Sequence, residues 1–264
     1  MSSKEPTPPA PTNVLIVGAT AGIAKPVARV LARDAAAAGR DLGLVLAGRD
    51  ADELERLAAD LRVRSGCRVA TRRFDAADLD ASAALFAGAA AALDGGLHGL
   101  VLAHGWLPDP AAAKADPATI RRLVDVNYTS AVLVLEAAAA YFEERKAEFV
   151  CGISSVAGDR GRQSNYPYGA TKAALTTYLQ GLRNRLHPAG VPVLTVKPGF
   201  VDTSMTWGLI RPGSPLNARP ERVARDVVRA IRRRRNVVYT PWFWRGILGV
   251  LKAIPEPVFK RMRT

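Results

Sequence analysis

Short apolar runs of four to seven residues alternate with longer helical patterns along almost the whole chain, and that alternation constrains its fold most. A helix-length connection brings a strand back in the same direction as the one before, so the strands pair in parallel with helices on both faces. The apolar runs are Val14–Val17, Leu42–Ala47, Val69–Phe74, His98–Ala103, Phe149–Ser154, Val191–Lys197 and Asn236–Thr240. Between them the spacing predicts helices over Gly22–Ala38, Ala51–Arg64, Leu79–Leu93, Pro117–Val126, Asn127–Lys146, Tyr166–Leu186 and Arg222–Arg233. In the second of these, Leu54, Leu57, Ala58 and Leu61 share one face. Ala35–Ala38 and Ala137–Ala140 read as helix interiors. The expected fold is α/β: a single doubly wound domain over 13–241, with an about seven-stranded parallel sheet flanked by helices.

At 264 residues and 48% hydrophobic content the chain can bury one large core. No uninterrupted apolar run reaches the roughly 20 residues that span a bilayer. Residues 1–12 carry Pro6, Pro8, Pro9 and Pro11 without an apolar segment, and read as a disordered tail and not a signal peptide. Cys67 and Cys151 flank predicted strands and are expected to be buried, reduced thiols of a cytoplasmic protein. Their spacing fits no metal motif and the three histidines are scattered, so no metal site is expected. The net charge of +13 is uneven: Arg219–Thr264 holds 13 Lys and Arg against 3 Asp and Glu, the rest 24 against 21.

The first strand ends in Gly18-Ala19-Thr20-Ala21-Gly22-Ile23-Ala24. Glycines between a strand and a helix permit a tight turn and close approach of a dinucleotide pyrophosphate to a helix N-terminus. The plainer alternative is a turn that packs helix on strand. The end of the second strand reads Gly48-Arg49-Asp50, where Arg49 suits a ribose 2′-phosphate and points to NADP(H) over NAD(H). Asp50 argues for NAD(H) unless it caps the next helix. Asp75, followed by Ala76, is placed to accept a hydrogen bond from adenine, or else to cap a turn. Tyr168 and Lys172 lie one helical turn apart, thirteen residues after Ser155. The Lys172 ammonium there is expected to favour the phenolate of Tyr168 and bring it into range for proton transfer. Strand alternation puts Ser154 and Ser155 on opposite faces.

Taken together, Gly18-x-x-x-Gly22-Ile23-Ala24, Asp75, Asn127, Ser155, Tyr168-x-x-x-Lys172 and Lys197-Pro198-Gly199-Phe200-Val201-Asp202-Thr203 resemble the short-chain dehydrogenase/reductases over roughly Asn13–Thr240. The resemblance implies a Rossmann-type fold and a carbonyl reductase or alcohol dehydrogenase. It makes Tyr168 the proton donor, Lys172 a ligand of the nicotinamide ribose, Ser155 the group that orients the carbonyl, and Asn127 the support of a water relay. Gly18, Thr20, Ala21, Gly22, Ile23, Arg49, Asp75, Ala76, Tyr168 and Lys172, with Pro198, Gly199, Val201 and Thr203, would hold the cofactor. Two positions depart from the family pattern. Ala24 replaces the usual third glycine, and Leu102-Ala103-His104-Gly105 replaces Asn-Asn-Ala-Gly, which is expected to weaken bonding within the sheet. His104 is expected to be structural or to lie near the cofactor.

Gly158-Asp159-Arg160-Gly161-Arg162-Gln163-Ser164-Asn165-Tyr166, Asn127-Tyr128-Thr129 and the ending from Pro241-Trp242-Phe243-Trp244 to Phe259-Lys260-Arg261 further resemble the decaprenylphospho-β-D-erythro-pentofuranosid-2-ulose 2-reductases. That resemblance implies a 2-keto-pentose on a polyprenyl phosphate; a 3-oxoacyl thioester or small ketone is the other substrate expectation. A non-catalytic NADP(H)-binding sensor or scaffold is the competing class. In the C-terminal extension, 242–264, residues Trp244, Ile247, Leu248, Leu251 and Ile254 form one stripe opposite Arg245 and Lys252. That composition suits a peripheral helix on anionic lipid at the inner face of a membrane, a substrate lid or a dimer contact. Nothing suggests nucleic-acid binding. A homo-oligomer pairing through Tyr128–Lys146 and Tyr168–Leu186 is expected from the family.

Overall fold

The computed structural model describes residues 12–145, 148–208 and 214–262; the tail expected before residue 12 lies outside the described residues. The chain runs β1 (Thr12–Val17), α1 (Ala24–Ala37), β2 (Leu42–Gly48), α2 (Ala51–Ser65), β3 (Arg68–Arg73), α3 (Leu79–Ala90), β4 (Gly99–Leu102), α4 (Pro110–Ala115), α5 (Pro117–Val124), α6 (Ser130–Arg145) and β5 (Phe149–Ile153). It continues through α7 (Tyr166–Leu186), β6 (Val193–Pro198), β7 (Phe200–Val201), β8 (Asn217–Ala218), α8 (Pro220–Arg232), β9 (Val237–Thr240), α9 (Trp244–Ala253) and α10 (Glu256–Phe259). Thr12 opens β1 and donates its N–H to Asp41 O at 3.0 Å, so the first strand takes in a residue that composition assigns to the tail.

Seven strands pair in parallel in the order β3-β2-β1-β4-β5-β6-β9, as the alternation predicts. β1 neighbours both β2 and β4, so the crossovers leave the centre in opposite directions and a crevice opens at its carboxyl end. Alternate residues serve opposite faces. Val14, Ile16, Leu44 and Leu46 pack with Val27, Leu57 and Val227 of α1, α2 and α8, while Leu15, Val17, Val45 and Leu100 pack with Phe86, Leu135 and Leu179 of α3, α6 and α7. This is why the central strands read as uninterrupted apolar runs. The edge strand β3 carries Arg68, Arg72 and Arg73 instead, which guards it against further pairing.

The expected break near residue 126 is a π turn, Asp125–Thr129, that joins α5 to α6. The continuous helix Pro117–Arg145 has 29 residues and is long and apolar enough by composition to cross a membrane; half of its apolar window is buried. Val134, Leu135, Ala138 and Phe142 of this helix belong to the core between α3 and α7. α4 and the small β7–β8 pair have no counterpart in the sequence pattern.

The apolar stripe of α9 faces inward. Trp244 and Leu248 are buried with Val156, and Ile247, Leu251, Phe200 and Tyr239 pack around them. Gly199 makes this possible, because a Cβ there would fall inside the Trp244 indole. Arg160 anchors the far end. Its guanidinium donates to the carbonyls of Leu251 (2.5 Å), Lys252 (3.2 Å) and Ile254 (2.7 Å), pairs with Glu256 at 3.1 Å, and lies 3.7 Å from the Phe259 ring centroid. It thereby satisfies carbonyls that the end of a helix leaves without partners. Beside it, Asp159 receives Lys197 Nζ at 2.5 Å and the Tyr239 hydroxyl at 2.6 Å.

Arg160→Ala deletes these contacts together and is expected to cost about 2–4 kcal/mol in chemical denaturation. Glu256→Gln touches only an exposed pair and is expected to cost less than about 1 kcal/mol.

Candidate active site

A cleft of about 370 Å³ lies at the carboxyl ends of the central strands. Gly18 leaves β1 at a φ of +76°, and a Cβ there would lie 2.6 Å from His104 N, so only glycine allows both the turn and the approach of β1 to β4. Thr20, Ala21, Gly22 and Ile23 continue the wall up to α1, which has no side-chain cap and no acidic residue in its first turn. With no side chain or acidic group at that helix start, the glycine turn leaves it open to a phosphate, and the cradle fits a dinucleotide. Ala24, at the usual third glycine, is fully buried in the core and leaves the wall intact.

Gly48 and Arg49 line the cleft where β2 ends. Asp50 turns away and accepts Glu53 N at 2.9 Å as the cap of α2. Asp75 and Ala76 line the cleft beyond β3, and Asp75 Oδ1 also accepts Ala77 N at 3.0 Å. Pro198, Gly199, Val201 and Thr203 close the opposite wall beyond β6.

Ser154 and Ser155 leave β5 with different fates. The Ser154 hydroxyl is buried and engaged by Lys172 O (2.9 Å) and Thr176 Oγ1 (2.7 Å). Ser155 Oγ accepts Ala157 N at 3.1 Å and lies beside Tyr168. Lys172 Nζ sits 5.8 Å from the Tyr168 ring centroid and donates to Ile153 O at 3.3 Å. Burial pulls the Lys172 ammonium down to about 8. It pushes the Tyr168 phenol up to about 12, with the Ser155 hydroxyl drawing it partly back. Desolvation, and not the expected lowering by the lysine, therefore governs the phenol in this structure.

Asn127 does not line the cleft but stands one layer behind it. Its amide brackets Trp106, accepting N–H at 2.6 Å and donating to O at 2.8 Å, and it also donates to Thr171 Oγ1 at 3.2 Å. The π turn of which it is part directs it toward α7. Gly105 leaves a gap between Asn127 and Lys172: a Cβ there would be 3.2 Å from Lys172 Nζ and 3.4 Å from Asn127 Oδ1.

His104 lines the cleft and is buried edge-on to Phe74 at 5.6 Å, with Nε2 3.3 Å from Ser130 Oγ. Burial and the Lys172 charge hold it neutral, down to about 3. At the departure 102–105 the backbone pairing is kept, since Ala103 N donates to Val17 O at 2.8 Å. The cleft also receives Trp106, Arg122, Arg162, Asn165, Phe200, Met205 and Thr206. Of these, Arg162 and Asn165 belong to the 158–166 phrase and Phe200 to the 197–203 run, whereas no local pattern marks Trp106, Arg122, Met205 and Thr206. In the connection from Trp207 to Leu216, residues 209–213 lie outside the described residues.

The family model described as short chain dehydrogenase matches residues 12–212. An uncharacterized oxidoreductase of Mycobacterium tuberculosis is 39% identical over 249 residues, covering 94% of this chain and 96% of that one. An uncharacterized oxidoreductase of Streptomyces coelicolor is 32% identical over 253 residues, 96% of each. A solved short-chain dehydrogenase from Sphingobium yanoikuyae in complex with NADPH aligns with a TM-score of 0.78 at 27% identity, covering 93% of this chain and 97% of that one. The chain belongs to the short-chain dehydrogenase family. Within it, this protein is an NAD(P)-dependent short-chain oxidoreductase.

The free pKa of Lys172, 10.5, lies above its folded value of about 8. The unfolded chain therefore binds the proton more tightly between those limits, and the buried ammonium costs stability below about pH 8. Lys172→Met is expected to abolish turnover while raising the unfolding free energy at neutral pH by about 1–3 kcal/mol. That gain should shrink as pH rises from 8 toward 10.5, as denaturation across this range will show.

Proposed function

We propose that the protein is an NADPH-dependent ketone reductase in which Tyr168 is the acid. The observation that carries this reading is the meeting of Ser155, Tyr168 and Lys172 in the cleft that Gly18–Ile23 and Arg49 also line. Gly18, Thr20, Ala21, Gly22 and Ile23 would hold the pyrophosphate, Asp75 and Ala76 the adenine, and Pro198, Gly199, Val201 and Thr203 the nicotinamide. Arg49 would bind the 2′-phosphate, and the engagement of Asp50 as a helix cap favours NADP(H) over NAD(H). When bound, the reduced cofactor supplies a hydride.

Ser155 donates its hydroxyl hydrogen to the ketone oxygen and polarises the carbonyl. Tyr168, protonated throughout the neutral range, gives its proton to that oxygen as negative charge develops. The Lys172 ammonium stabilises the phenolate left behind and takes part in holding the cofactor ribose. Asn127 fixes the Trp106 backbone and borders the gap at Gly105, through which a water can resupply the proton.

The leading substrate is a 2-keto-pentose on a polyprenyl phosphate, supported by the 158–166 phrase that brings Arg162 and Asn165 to the cleft. A 3-oxoacyl thioester or small ketone is the runner-up. A non-catalytic sensor is disfavoured because it has no need of Ser155, Tyr168, Lys172 and Asn127 together. We place the protein in the cytoplasm as a homo-oligomer pairing through α6 and α7, which light scattering would test. A peripheral membrane contact would use Trp242, Val250 and Val258, exposed near Arg245, Lys252 and Lys260; liposome flotation with and without residues 242–264 would test it.

Tyr168→Phe is expected to leave NADPH affinity within about threefold and to lower turnover by roughly two to four orders of magnitude. Unchanged turnover in that variant sinks the mechanism. Arg49→Ala is expected to raise KM for NADPH about tenfold with little effect on NADH, as steady-state rates with the two cofactors will show.

A further inference from the structure

We propose that the substrate end of the cleft is an anion subsite built on Arg162, so that the ketone reduced here carries a carboxylate or phosphate group. The proposal rests on the reductase reading above and adds the substrate class. Arg162 lies in the connection between β5 and α7, six residues before Tyr168, and lines the cleft with Asn165. Among the described residues no carboxylate pairs with its guanidinium. Its Nε is buried with no hydrogen-bond partner among the described residues, and so is the neighbouring Asn165 Oδ1.

Two other arginines sunk into the body set the contrast. Arg160 spends its guanidinium on three carbonyls and Glu256. Arg183 donates to Val193 O at 2.9 Å, Thr195 Oγ1 at 3.0 Å and Asn236 O at 2.7 Å. Arg162 has the burial without the acceptors, and desolvation alone pulls its pKa down. A partly desolvated cation without acceptors is costly, and the cost is removed when a ligand brings an oxyanion.

The other cleft cations have work elsewhere. Arg49 stands at the end of β2, Lys172 serves Tyr168, and the Arg122 guanidinium stacks over Trp106 at 5.0 Å. Asp75, the carboxylate of the lining, is at the β3 end and does not oppose an anion beside Tyr168. Val156, Phe200 and Met205 line the same cleft and suit the uncharged part of such a substrate. Asn165 offers its amide oxygen to a hydroxyl of the substrate.

The test uses the full chain and three ketones of matched size, carrying a carboxylate, a phosphate monoester or a neutral amide. In the wild type, kcat/KM for at least one charged ketone should exceed that for the neutral one by roughly tenfold or more. In Arg162→Gln that ratio should fall toward one through KM, while Arg162→Lys retains part of it. Calorimetry on the NADPH-loaded protein should show inorganic phosphate binding that Arg162→Gln loses, with the Kd for NADPH changed by no more than about twofold. Equal kcat/KM for charged and neutral ketones, or a ratio that Arg162→Gln leaves unmoved, overturns the subsite. If no ketone is reduced but phosphate binding still depends on Arg162, the subsite stands and the reductase reading falls. Loss of both overturns both.

Discussion

A parallel sheet covered by helices on both faces has nowhere to put polar chemistry except its ends. Here β2 is buried at all seven positions, and the alternate residues of β1 serve two separate cores. The strands that border the cleft therefore deliver polar residues to it just past their ends. Thr20, Arg49, Asp75, His104, Ser155 and Thr203 all follow strand ends and all line one cleft. The reversal of winding between β1 and β4 opens the crevice there, and the contact of Gly18 with His104 sets how closely those strands meet.

Within that crevice burial governs the electrostatics. Lys172 is 4% exposed, with Ile153 O as its hydrogen-bond acceptor, and its ammonium is held near the neutral range by desolvation. The same desolvation keeps Tyr168 protonated, which is the form a proton donor needs. A lysine so placed is a poor stabiliser of the fold. The connection between β5 and α7 shows the same economy with two arginines. Arg160 closes the carbonyl end of α9 and ties the C-terminal helices to the body, whereas Arg162, two residues on, reaches the cleft without an acceptor among the described residues.

The elements with strong periodicity were legible from residue patterns. Leu54, Leu57, Ala58 and Leu61 form the buried face of α2, and Asp50 caps it. The residues that follow strand ends, from Gly18 to Thr203, were legible because their neighbours in sequence are their neighbours in the cleft. What escaped were long-range facts. Trp106 and Met205 reach the cleft through connections with no periodicity. The apolar stripe of α9 looked equally suited to lipid, a partner or the body, because amphipathicity states that a face is to be covered and not by what. The packing of Trp244 on Gly199 decides it here. Spacing puts the Lys172 charge beside Tyr168, but the desolvation that raises the phenol is not visible in a sequence.

By itself the sequence determined the alternation of strands and helices, hence the parallel sheet, and the order Gly18–Gly22, Ser155, Tyr168, Lys172 along it. Those features depend on local periodicity and on spacing within one helix or turn. Only the tertiary structure decided that Asn127 stands behind the cleft on a π turn and that α9 packs inward. It also decided that Arg160 is satisfied while Arg162 Nε has no partner among the described residues. Each of these depends on which distant groups share a buried space, and the free energy of a polar or apolar side chain is set by that company and not by its neighbours along the chain.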